Sequence, residues 1–129
     1  MDFIFQTRLT QSSDVTEGTV TLVADGKVFN EAVAVAAGAT VNYTGMAGDP
    51  DNVVCYEILP TFGGTLTTTN SSGVADVVAL VANKPLAWNN ASGLVKHFAN
   101  ANPWTNWAFH NTDATDGTVK ILIGRDDTP

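Results

Sequence analysis

At 129 residues, the chain is the size of one domain and leaves no room for a second hydrophobic core. Only 15% of it is charged, well under the roughly 25% of an average soluble domain, so Thr, Asn, Ser and Gly must cover much of the surface. Six Lys and Arg against thirteen Asp and Glu leave a net charge of −7, too few countercharges to track a phosphate backbone, which excludes direct nucleic-acid binding.

The first residues have no basic leader and only three consecutive apolar positions, Phe3, Ile4 and Phe5, so a strand over residues 2–9 is expected in place of a signal peptide or anchor. Alternation sets Phe3, Phe5 and Leu9 on one face and Asp2, Ile4, Gln6 and Arg8 on the other. Such a strand belongs at a sheet edge or across a neighbour, with Phe3 and Phe5 buried in an intersubunit contact. Next, residues 19–24 alternate, and Asp25-Gly26 is the signature of a tight hairpin turn that returns the chain over 27–30. Residues 32–36 and 40–44 flank a second tight connection at Ala37-Gly38-Ala39. A strand over 53–59 stops at Pro60, one over 65–69 follows Gly63-Gly64, and Asn70-Ser71-Ser72-Gly73 turns the chain into the apolar run 74–81, expected as a central strand. Residues 118–123 form the last strand after Asp116-Gly117.

The stretch 85–116 differs from the rest. It holds Trp88, Trp104 and Trp107 with many Asn, and is expected as a long loop with one or two helical turns between 91 and 101. The whole chain, residues 1–129, then reads as all-β: a single antiparallel β-sandwich or jelly-roll-like domain of about eight strands with at most one short helix.

Catalytic chemistry finds little footing. His97 and His110 lie thirteen residues apart without a metal-ligand or triad context. Cys55 lies in a Val-Val-Cys-Tyr strand as a small buried hydrophobe, and Glu57 and Asp76 are the carboxylates that interrupt predicted strands. Asp49 with Asp51, and Asp113 with Asp116, have the oxygen-rich loop chemistry of calcium ligands, but Asx-turn hydrogen bonding accounts for them equally. No catalytic residue, metal or cofactor is expected, and no run of the chain is long and apolar enough to span a membrane.

The indoles admit three readings. Trp88, Trp104 and Trp107 with Asn90 have the makings of a sugar-binding platform, in which rings stack on a pyranose and amides bind its hydroxyls. Together with Phe3 and Phe5 they would equally serve a protein interface, or they would close one end of the core. An acidic β domain poor in long charged side chains suits the structural proteins of virus particles. The expectation is a capsid decoration or cement protein on the outside of a phage or virus head. Its partners would be the major capsid protein or other virion subunits and its own copies, a trimer being favoured, and its location the virion. A carbohydrate- or cell-surface-binding module and a tail-tube subunit are the alternatives.

Overall fold

The computed structural model describes residues 2–11, 14–23, 28–44, 52–91 and 103–125. Ten strands follow one another: β1 (Asp2–Gln11), β2 (Asp14–Val23), β3 (Val28–Val35), β4 (Thr40–Tyr43), β5 (Val53–Pro60), β6 (Gly64–Asn70), β7 (Ala75–Leu80), β8 (Leu86–Asn89), β9 (Trp104–Asn111) and β10 (Gly117–Arg125). There is no α-helix among the described residues, and the short helix expected over 91–101 lies, past Ala91, outside them.

Eight of the strands make a β-sandwich of two antiparallel four-stranded sheets, ordered β3-β10-β5-β8 and β4-β9-β6-β7. The pairs β3–β10, β4–β9, β5–β8 and β6–β7 nest one inside the next, as in one long hairpin folded at the 70–73 turn. Rolling that hairpin brings β10 against β5 and β9 against β6, which closes the two sheets and gives the strand order of a jelly roll. The expected all-β sandwich is therefore the observed fold.

Two local expectations need correction. The 19–24 segment does not pair with 27–30: β2 pairs with β1 along its whole length, and β3 joins β10 at the far end of the chain. Asp25-Gly26 itself lies outside the described residues. The Ala37-Gly38 turn is tight, with Ala39 N–H donating to the Ala36 carbonyl at 2.9 Å and Gly38 at φ 69°, yet it carries the chain from one sheet to the other. Nor are residues 86–89 and 104–111 loop, since they form β8 and β9.

The core lies between the sheets. Tyr56, Ile58, Val119, Ile121 and Ile123 from one face meet Leu66, Trp107 and Phe109 from the other, and Phe62 from the β5–β6 connection fills one end. Alternation on β6 and β9 builds the second half of this face, because Leu66 lies opposite Phe109 and Thr68 opposite Trp107. Gly64 is required by that pairing: a β-carbon there would collide with the His110 carbonyl.

Thr68 is fully buried, and its hydroxyl has no hydrogen-bond partner among the described residues. A desolvated, unsatisfied hydroxyl costs about 1–3 kcal/mol, whereas a valine of nearly the same volume would incur no such cost. Thr68→Val is therefore expected to raise the thermal midpoint by about 4 °C in calorimetry, and a lowered midpoint would show that the hydroxyl is satisfied.

Candidate association surfaces

The three indoles are interior. Trp107 has no exposed surface, Trp104 is 2% exposed and Trp88 8%. Trp88 stacks on Tyr56, its cross-strand partner, with ring centroids 5.8 Å apart and planes 25° apart. Trp104 meets Trp107 edge-on at 5.0 Å, and Trp107 meets Phe109 the same way at 6.3 Å, geometries that the aromatic quadrupole favours.

Trp104 and Trp107 are three apart, so plain alternation would put them on opposite faces of β9. The register slips between Thr69 and Asn70, which pair with Asn106 and Trp104, and Thr105 is left as the extra residue of a bulge. The bulge turns Trp104 to the core side. A platform of exposed indoles for sugar stacking is thus not formed, and the reading in which these rings close the core describes them.

The neighbouring amides hold the chain rather than a ligand. Asn70, Asn89 and Asn111 are the last residues of β6, β8 and β9, and all three are buried. In each, Oδ1 accepts the backbone N–H two residues on: Ser72 at 3.0 Å, Ala91 at 3.1 Å and Asp113 at 2.8 Å. Each is an Asx turn that stops a strand and starts a loop. Asn111 does more, donating Nδ2 to the Val35 carbonyl at 3.0 Å and to the Thr115 carbonyl at 2.9 Å, which ties β9 to the end of β3. Asn90 is exposed in the turn after β8, and its N–H donates to the Val54 carbonyl at 2.9 Å.

The carboxylates of the 112–116 loop are engaged similarly. Asp113 accepts Gly63 N–H at 3.0 Å and Asp116 accepts Ala37 N–H at 2.9 Å, so the loop clamps two other connections at one end of the sandwich. No group of three or more His, Cys, Asp or Glu residues is placed to hold a metal ion among the described residues. Asp49, Asp51 and His97 lie outside them. His110 faces outward on β9, its Nδ1 2.9 Å from the Thr40 hydroxyl and 3.2 Å from the Ala39 carbonyl.

Cys55 is a free, buried thiol, and burial pushes its pKa up to about 11 from an ordinary 9.0 despite a backbone hydrogen bond at Gly124 that acts the other way. Burial also raises the Tyr43 phenol from 10.0 to about 12, helped by its hydrogen bond to Glu31 and that carboxylate's charge. Both groups stay protonated in the folded chain over a range where the unfolded chain loses their protons. Each increment of pH from about 9 to about 12 therefore favours unfolding. The urea midpoint should fall across that window, and folded Cys55 should resist thiol reagents at pH 8 until urea unfolds the chain. A midpoint flat to pH 12 would contradict the burial of both groups.

Two surfaces remain that neither core packing nor loop closure explains. The first is the β1–β2 hairpin. Its strands pair over ten residues each, roughly 34 Å at the usual rise, and belong to neither sheet of the sandwich; β2 touches it at β5. The register puts Phe3 opposite Leu22, Phe5 opposite Val20 and Leu9 opposite Thr16. Arg8 pairs with Glu17 and Gln6 with Thr19, and Ile4, opposite Thr21, is 64% exposed. The side chains of Phe3 and Phe5, expected in an intersubunit contact, lie outside the described ones.

The second surface is the outer face of the β4-β9-β6-β7 sheet. Thr40 and Asn42, then Asn106, Ala108 and His110, then Thr65, Thr67 and Thr69, then Ala75, Val77 and Ala79 run across it in register. No Asp, Glu, Lys or Arg interrupts these positions, in a chain of net charge −7. The other sheet presents Glu57 and Lys120 around a shallow depression of about 200 Å³, smaller than the roughly 300–1,000 Å³ of small-molecule sites. Sequence reasoning missed the uncharged face because its members come from four separate strands, each unremarkable alone.

No protein-family model matches the chain, and no curated protein is significantly similar to it.

Proposed function

We propose that this chain is a structural subunit of a virus particle, a decoration protein bound to the outside of the head shell with the major shell protein as its partner. The β1–β2 hairpin carries the reading. A two-stranded ribbon is marginal alone in water, and one that belongs to neither sandwich sheet gains stability by lying on a neighbouring subunit. The jelly-roll order adds support by analogy, since that architecture recurs in viral capsid proteins as well as in lectins and cupins. A net charge of −7 suits the outside of a shell better than an inner face against packaged genome. Against the lectin alternative stands the burial of Trp88, Trp104 and Trp107, which leaves no indole to stack on a sugar.

The reading frames beside the gene test the proposal. Portal, shell-protease and major shell proteins are expected there, and a neighbourhood of metabolic enzymes would overturn it.

A further inference from the structure

Sheet edges are normally blunted, because a free row of N–H and C=O groups invites another strand. The sandwich has four edges: β4 and β8 are four residues long, and β3 carries Glu31. β7 is different. Its sequence Ala-Asp-Val-Val-Ala-Leu pairs with β6 without a bulge and contains no Lys or Pro. Val77 at its centre is 65% exposed, and Val74 and Val81 on either side are 52% and 51% exposed. Its one charge, Asp76, lies opposite the buried Thr68, on the core side of the strand. Among the described residues, the run expected as a central strand from its apolar character is thus an edge, and its outward residues carry no charge.

We propose that β7 is a docking edge for β7 of a second copy of this chain, paired antiparallel about a two-fold axis at Val77. The occupant follows from the strand itself. About a two-fold axis the strand meets its own sequence reversed, and the outward residues Ala75, Val77 and Ala79 match on reversal, so small residues meet small ones and valine meets valine. In that register Val77 meets its own copy, Ala75 meets Ala79, and Asp76 faces Val78, so no acid meets an acid. The two outer faces join into one uncharged eight-stranded surface, which spares two copies of charge −7 from close repulsion. The axis gives a dimer in place of the trimer expected from the sequence. This pairing goes beyond the proposed virion role and does not depend on it.

Sedimentation equilibrium of the full chain tests it. The wild type is expected at twice 13.5 kDa. Val77→Lys and Val77→Glu, at a position already solvent-exposed, should each keep the β-sheet circular dichroism and weaken self-association at least tenfold, and mixing the two should restore the dimer. Val77→Cys should cross-link to itself under mild oxidation, because opposed residues of an antiparallel pair lie about 4.5–5.5 Å apart at Cα, within disulfide range. Ala79→Cys alone should not, and wild type with its buried Cys55 gives the background. A wild-type monomer at all concentrations, an assembly indifferent to Val77→Lys, or a dimer that Val77→Cys fails to cross-link would each overturn the proposal.

Discussion

Trp107→Ala is expected to destabilise the chain by about 4 kcal/mol, within the range for truncating a fully buried tryptophan. The side chain has no exposed surface and lies between Trp104 and Phe109, so its removal opens a cavity where both sheets meet. Against a total stability of about 5–15 kcal/mol for a single domain, that loss should lower the thermal midpoint by about 15 °C. The experiment also separates two roles for the Trp-rich stretch. An exposed recognition platform at this position would tolerate alanine within about 0.5 kcal/mol, as surface substitutions do. A midpoint that barely moves would therefore return Trp107 to the surface.

Asn111→Ala should cost about 3 kcal/mol through a different mechanism. Its amide satisfies the carbonyls of Val35 and Thr115 and the N–H of Asp113 in a fully buried position, and alanine leaves all three without that partner. Asn111→Asp is the informative companion. A carboxylate keeps the size and can still accept from Asp113, but it cannot donate to the two carbonyls and faces them with a negative charge. It should be at least as damaging as alanine at pH 7 and should partly recover as the pH falls through the carboxyl range, because the protonated form regains one donor. Urea denaturation at pH 7 and pH 4 reads both effects. Equal stability of wild type and Asn111→Asp at pH 7 would contradict the clamp.

The sandwich was legible where local signals agree with the global fold. Residues 53–59, 65–69 and 118–123 alternate, end at Pro, Gly or Asx turns, and became β5, β6 and β10. Partner choice was not legible. Asp25-Gly26 is a strong local hairpin signal, but β3 pairs with β10 across most of the chain, a contact that no short-range pattern encodes. The run 74–81 reads as central because it is apolar but for Asp76, yet burial depends on what lies beyond it in the sheet, and among the described residues no strand pairs on its far side.

The candidate site was less legible still. Trp104 reaches the core through the bulge at Thr105, and a single extra residue reverses every inference from alternation. Asn90 beside Trp88 reads as a recognition amide, whereas Asn70 in Asn70-Ser71-Ser72-Gly73 already reads as a turn residue, the role that Asn89 and Asn111 share at the ends of β8 and β9. The alternation of Trp107 and Phe109 with Asn106 and Ala108 was a usable strand signal inside the supposed loop. The strand expected over residues 2–9 is part of β1, and its pairing with β2 makes a two-stranded ribbon.

In the proposed function, the sandwich is a scaffold and the hairpin attaches it to a larger shell. The most direct measurement compares particles recovered from cells that make the full chain with particles from cells that make a chain lacking residues 1–8, which removes most of β1 and leaves the sandwich strands intact. The full chain should co-purify with particles at a fixed ratio to the shell protein. The shortened chain should be absent from them, while its purified form keeps a cooperative melt and a β-sheet circular dichroism spectrum. A folded, shortened chain bound to particles at the full ratio would contradict the account.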